Sequence, residues 1–138
     1  MVLALPEDIE EVVFLTKEEV LFLHAELLNE GQLTGVKNHD NLDSAIGRVQ
    51  TAAYYDSTAD FAKLAAYYWH GISANHGFHD GNKRAGFAAM VAFLEINGFE
   101  FMGSDSVMAQ IIYGLFKENA FTVDRLEQLV RMNTRILQ

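Results

Sequence analysis

One stretch, HGFHDGNKR from His76 to Arg84, contains residues that could catalyse the transfer of a phosphoryl or nucleotidyl group. His76 offers a general base near neutral pH, because histidine titrates in that range. Asp80 offers a carboxylate oxygen, the ligand type that Mg²⁺ takes from proteins when it also binds phosphates. A base, a metal ligand and cations at this spacing indicate phosphoryl or nucleotidyl transfer, in which charge neutralisation does much of the catalytic work.

The residues that follow Asp80 predict a site for a polyphosphate. Gly81 permits close approach of the backbone, and the successive amides after it can form a concave anion site. Lys83 and Arg84 place two cations in the first turn of the next predicted helix, where each opposes the helix dipole by about 0.3–1 kcal/mol. Such an arrangement is expected where an anion binds.

The elements that must position these residues are predicted to be helices. The chain has a single proline, Pro6, and its apolar residues recur with the helical period. Thr16 and Glu19 predict a capping box at the start of a helix over 17–30. Asp40 or Asn41 is expected to cap the next helix, and a third is expected from about Asp60 to about Asn75. Later helices are predicted over about 105–118 and 123–136, capped by Ser104 or Asp105 and by Thr122, with a short extended piece at 99–102.

One predicted helix starts at the candidate site itself. Residues 85–94 read AGFAAMVAFL, without a polar face, and a helix that is apolar all round is buried. We therefore expect an all-α fold with a central buried helix. Residues 31–40 contain Gly31 and Gly35 and no helical period, which predicts a loop or short hairpin that could act as a flap for a target.

Length and composition limit the class of protein. The chain has 138 residues, about one domain's worth, so we expect a single domain over 1–138. Its net charge of −9 without a basic stripe disfavours a nucleic-acid partner. It contains no cysteine, which favours a reducing cytoplasm. The N-terminus is unlike a signal peptide, and the longest apolar run is about half a membrane span, so we expect a cytoplasmic protein without a membrane partner.

The stretch from His76 to Arg84 resembles the signature of the Fic/Doc superfamily, H-x-F-x-[D/E]-[G/A]-N-[G/K]-R. All six anchor positions match: His76, Phe78, Asp80, Gly81, Asn82 and Arg84. Three further stretches are similar to the Doc-type (death-on-curing) branch of toxins: FLTKEEVLFLH at 14–24, NLDSAIGRVQ at 41–50 and FLEINGFEF at 93–101. The resemblance covers residues 14–120, most of the chain.

The resemblance implies a role for each residue of the signature. His76 would activate a Ser, Thr or Tyr hydroxyl of a target protein, Phe78 would anchor the loop, and Asp80 would bind Mg²⁺. The implied catalytic residues are thus His76, Asp80 and Arg84. The implied nucleotide-binding residues are Gly81, Asn82, Lys83 and Arg84.

Lys83 indicates the branch within the superfamily. Members that transfer AMP usually carry Gly at this position, whereas Doc-type toxins carry Lys and are associated with transfer of the terminal phosphate to a translation elongation factor. The resemblance therefore implies a toxin that uses Mg²⁺ and ATP or another nucleoside triphosphate. Two alternatives are AMP transfer to a protein hydroxyl and a catalytically degenerate binding module.

The sequence departs from the family pattern in three ways. Gly77 replaces the usual Pro and is expected to leave the loop less preorganised, and His79 adds a titratable group where an apolar residue is common. The inhibitory pattern [S/T]-x-x-x-E-[G/N] is missing, because neither Glu30-Gly31 nor Glu118-Asn119 follows a Ser or Thr at that spacing. Inhibition by a Phd-like antitoxin in trans is therefore implied.

A metal phosphohydrolase of HD type is a competing hypothesis, since His79-Asp80 looks like its paired ligands. That class needs a further His and a distant Asp, for which His39 and Asp124 are candidates. It leaves the segment 82–84 without a role. His24, like His39, is expected to be non-catalytic.

Overall fold

The computed structural model describes residues 3–138. After a 3₁₀ turn at Ile9–Glu11, this part of the chain forms six α-helices: α1 (Lys17–Leu27), α2 (His39–Tyr55), α3 (Phe61–Ala74), α4 (Asn82–Ile96), α5 (Asp105–Lys117) and α6 (Val123–Asn133). Two short strands, β1 (Phe99–Phe101) and β2 (Thr134–Ile136), pair in antiparallel orientation with Phe99 opposite Ile136. The fold is all-α, as the periodicity predicts.

Side chains cap the start of most helices. Thr16 and Glu19 form the predicted capping box at α1, and Thr122 caps α6 as predicted. Ser104, one of the two predicted candidates, caps α5, and Asp60, where the third helix is expected to begin, caps α3. Each cap accepts a hydrogen bond from a backbone N–H three residues later, one of the donors that a helix start leaves without a partner.

Three predicted helix boundaries are wrong. Helix α1 ends at Leu27 and not at 30, because its C-cap, Leu28, already has an extended backbone. Helix α2 is capped by Asn38, whose Oδ1 accepts from the N–H of Asn41, so neither Asp40 nor Asn41 is its cap. The last helix ends at Asn133 and not at 136, because Thr134–Ile136 leaves the helix to pair with β1. At the start of α2 and at the end of α6, the local sequence permits the predicted boundary, but the residues there make a different contact.

The core is built mainly on α3 and α4, which pack against each other. Helix α3 is the more enclosed of the two, with Tyr68 and Trp69 fully buried. Helix α4 buries one side only: an open groove between α1 and α4, lined in part by Phe22 and Leu23, leaves Ala92 and Ile96 partly exposed. The expected central helix is therefore buried against α3 but not on every side. Within residues 3–138, no helix has the length and apolar character needed to cross a bilayer.

Residues 31–38 form a loop and not a hairpin, and the last two residues of the predicted segment, 39 and 40, already belong to α2. Val36 makes a single antiparallel bridge to Phe78, and the N–H groups of Lys37 and Asn38 both donate to the carbonyl of Gly77, at 2.8 and 3.0 Å. These bonds place the loop directly against the stretch that carries the candidate residues.

Candidate active site

The start of α4 differs from the start of every other α-helix in residues 3–138. Its N-cap is Gly81, whose φ of 78° is in the left-handed region, and no side chain caps the helix. The N–H groups of Asn82, Lys83 and Arg84 have no hydrogen-bond partner among the described residues. With no acidic residue in this first turn, the helix start presents unpaired donors next to two cations. This arrangement can bind an anion.

Asn82 closes the loop that precedes the helix. Its Oδ1 accepts from the N–H of Phe78 and its Nδ2 donates to the carbonyl of the same residue, both at 3.0 Å. The side chain of Asn82 therefore holds the loop in place. Its backbone N–H, which has no partner among the described residues, is the group of Asn82 that is available to a ligand.

Two aromatic rings anchor this loop in the core. Phe78 is 1% exposed and its ring is parallel to that of His24, with 3.6 Å between ring centres. His24 Nε2 lies 2.6 Å from the carbonyl oxygen of Asp80, so Nε2 carries the proton and donates. His24 thus holds the loop from α1. From the sequence, His24 is expected to be non-catalytic, and its positioning role is missed, although it ends the stretch at 14–24 that carries the family resemblance.

Asp80 has one carboxylate oxygen in use. Oδ2 accepts from the N–H of Leu33 at 2.8 Å, whereas Oδ1 has no partner among the described residues. The side chain is partly buried at the end of the loop. A single available carboxylate oxygen fits Mg²⁺, a hard cation that commonly takes one protein carboxylate and completes its shell with phosphates and water.

His76 and Gly77 form the upstream end of the loop. His76 is exposed and has a φ of 54°, a left-handed conformation that is uncommon outside glycine. Gly77 is buried, and a Cβ there would lie 3.0 Å from Cβ of Leu42. The carbonyl of Gly77 also accepts two hydrogen bonds, from the N–H groups of residues 37 and 38, which connect this end of the loop to the start of α2.

The two cations of the first turn point to different neighbours. Lys83 Nζ lies 4.3 Å from the centre of the Phe116 ring on α5, a cation–π contact. Arg84 Nη1 donates to the carbonyl of Leu27 at 2.8 Å and to Oδ1 of Asn29 at 2.7 Å. Both side chains are exposed, so both are accessible to a ligand.

The residues required by the HD-type hypothesis do not form a metal site. No group of three or more His, Asp or Glu side chains within residues 3–138 is arranged to hold a metal ion. His79 is exposed and makes no hydrogen bond to the described residues, and His39 Nδ1 lies 3.0 Å from Lys17 Nζ. Within the described residues, the side chains that this alternative needs are therefore not brought together.

The chain is similar to known proteins of one family. The model of the Fic/DOC family matches residues 14–94, which contain α1 to α3 and most of α4. Protein kinase doc of Escherichia phage P1 is 31% identical over 91 residues, which span 65% of this chain and 72% of that protein. Toxin Doc of Mycolicibacterium smegmatis is 34% identical over 88 residues, which span 63% of this chain and 66% of that protein.

Proposed function

Because this chain belongs to the Fic/DOC family, we propose that it is a Doc-like toxin that transfers a phosphoryl group from a nucleoside triphosphate to a hydroxyl of a host protein. One observation carries the proposal: His76, Asp80 and the uncapped, cationic start of α4 lie on one continuous loop. The relatives named Protein kinase doc and Toxin Doc support the choice of reaction and role. The target class that we propose is a translation elongation factor, from the family resemblance.

The start of α4 would bind the phosphates. Gly81 allows the chain to turn so that the N–H groups of residues 82–84 are presented together, while Lys83 and Arg84 add positive charge. Unpaired N–H groups at a helix start and nearby cations stabilise the negative charge that shifts between oxygens during phosphoryl transfer.

His76 would act as the general base. As the hydroxyl oxygen of the target attacks the terminal phosphorus, His76 accepts the hydroxyl proton. A new oxygen–phosphorus bond forms, the bond between that phosphorus and the bridging oxygen of the next phosphate breaks, and the nucleoside diphosphate leaves with the electron pair. The exposed position of His76 allows a protein hydroxyl to reach it.

Asp80 would hold Mg²⁺ through Oδ1. The ion, when bound, supplies positive charge to the phosphate oxygens. The hydrogen bond from Leu33 to Oδ2 and the bond from His24 to the carbonyl of Asp80 keep the carboxylate in a fixed orientation.

A Phd-like antitoxin in trans is the partner that we propose for control of the toxin. The chain has no Ser or Thr four residues before either candidate glutamate, so the internal inhibitory pattern of many relatives is not formed. We further propose that the described residues act as one domain and that neither nucleic acid nor a membrane is a direct partner, in keeping with the net charge of −9.

Label position in ATP tests the reaction. The chain, Mg²⁺ and a bacterial lysate are incubated with α- or γ-labelled ATP, and any labelled protein is identified. Label from γ-labelled ATP only is the expected result. Label from α-labelled ATP indicates AMP transfer, and no label from either indicates a binding module; both results contradict the proposal.

Two histidine variants assign the base. His76→Asn, which suits the left-handed backbone better than alanine does, is expected to lower transfer by about 10²–10⁴-fold. His39→Asn is the matched control, because His39 is also exposed and belongs to the competing HD-type set. Full activity of His76→Asn contradicts the role of His76, and loss of activity in His39→Asn favours the HD-type alternative.

A further inference from the structure

The contacts of Arg84 use only one of its nitrogens. Nη1 donates both of its hydrogen bonds to the end of α1, one to the carbonyl of Leu27 and one to Oδ1 of Asn29. A guanidinium carries five N–H groups, so three remain, on Nε and Nη2. None of these three has a partner among residues 3–138.

The remaining N–H groups form the edge that recognises phosphate. Nε and Nη2 of a guanidinium lie side by side and can donate in parallel to two oxygens of one phosphate. The contacts at Nη1 fix the plane of the group and leave this edge available. We propose that Asn29 is a positioning residue that orients Arg84 toward a phosphate of the bound nucleotide; this inference rests on the proposed function.

Asn29 is itself held in place. Its N–H donates to Oε1 of Gln32 at 2.7 Å, and the N–H of Gln32 donates to the carbonyl of Asn29 at 3.0 Å. Gly31, with a φ of 86°, allows this tight turn. Leu33, just after the turn, is bonded to Asp80. The turn at the end of α1 thus contacts two residues of the candidate site, Arg84 and Asp80.

Of the two oxygens that accept hydrogen bonds from Arg84, only the side-chain oxygen of Asn29 can be removed by a substitution. The carbonyl of Leu27 is backbone at the C-terminal end of α1, where the helix dipole attracts a cation. The Asn29 oxygen belongs to an exposed side chain. Replacing Asn29 therefore removes one of two acceptors without altering the core, and the guanidinium loses its fixed plane.

Binding measurements on the full chain test the role of Asn29. ATP with Mg²⁺, and adenosine as the ligand without phosphates, are titrated into the wild type, Asn29→Ala, Arg84→Ala and the double variant. Asn29→Ala is expected to weaken ATP binding about three- to tenfold, the range of one lost hydrogen bond, and to leave adenosine binding unchanged. In the Arg84→Ala background the same substitution is expected to have no effect. Gln128→Ala, an exposed change on α6, is the control.

Each other outcome has a defined meaning. If Arg84→Ala does not weaken ATP binding, the proposed phosphate site and this inference both fail. If Arg84 matters but Asn29→Ala binds ATP as the wild type does, only the inference fails. Tighter ATP binding by Asn29→Ala would mean that Asn29 holds Arg84 away from the ligand. Equal weakening of ATP and adenosine, or weakening that persists without Arg84, would mean a purely structural role.

Discussion

Helices α3 and α4 pack against each other but begin in opposite ways. At the start of α3, Asp60 accepts a hydrogen bond from the N–H of Lys63 at 3.0 Å and forms an ion pair with Arg131 of α6 at 2.8 Å. At the start of α4, Gly81 offers no side-chain cap and the first turn carries two cations. The start of α3 satisfies its own donors, whereas the start of α4 leaves donors and positive charge for a ligand.

This difference has a cost in stability that packing offsets. A glycine in place of a Ser, Thr, Asp or Asn cap costs about a few tenths of a kcal/mol, and each cation in the first turn costs about 0.3–1 kcal/mol more. Further along α4, Gly86 lies so close to α3 that a Cβ there would be 2.6 Å from the carbonyl oxygen of Trp69. The two helices approach closely at this point, and the buried contacts of α4 stabilise a helix whose first turn is unfavourable.

The largest expected effect is stabilisation by nucleotide. ATP with Mg²⁺ at 100 times its dissociation constant is expected to raise the free energy of unfolding by about 2.7 kcal/mol, because it binds the start of α4 in the folded state only. Thermal unfolding with increasing ATP measures the increment. Arg84→Ala is expected to show a smaller increment at the same ATP concentration, and an increment equal to that of the wild type would argue against binding at α4.

A smaller effect is expected at the start of α3. Asp60→Ala removes the cap and the ion pair with Arg131, and we expect the free energy of unfolding to fall by about 1–2 kcal/mol. Urea unfolding measures the loss. Transfer activity per folded molecule is expected to be unchanged, since the contacts of Asp60 are with Lys63 and Arg131, outside the candidate site. A large loss of activity in folded Asp60→Ala would mean that the start of α3 also contributes to the reaction, and would contradict the difference between the two helix starts.

The smallest effect concerns the acid sensitivity of the α2–α3 connection. Hydrogen bonds from Lys63 and Thr58 lower the pKa of Asp56 to about 2. A lowered carboxyl pKa favours the folded state above about pH 4, and this contribution is lost as the pH falls toward 2. Titration of the Asp56 carboxyl by NMR is expected to show this low midpoint. A midpoint near 4 would mean that the contacts with Lys63 and Thr58 are not maintained in solution.

Helix starts could be predicted where a single local signal is present. Thr16 is the clearest case, because Glu19 three residues later completes the capping-box pattern and no other capping residue lies nearby, and Thr16 is the cap observed. Asn38 was missed because it is followed within three residues by Asp40 and Asn41, which have the same capping chemistry. The end of α6 was missed for a different reason: pairing of Thr134–Ile136 with β1 is a contact between distant segments.

The sequence by itself determined the all-helical fold, the family and the stretch that carries the candidate site, because each depends on residue type at short spacing. Only the tertiary structure decided how the reactive residues are oriented. His24, Leu33 and Asn29 contact Asp80 and Arg84 across 47 to 56 residues of chain. No local pattern encodes such contacts, since they arise only when α1 and the turn after it pack beside the start of α4.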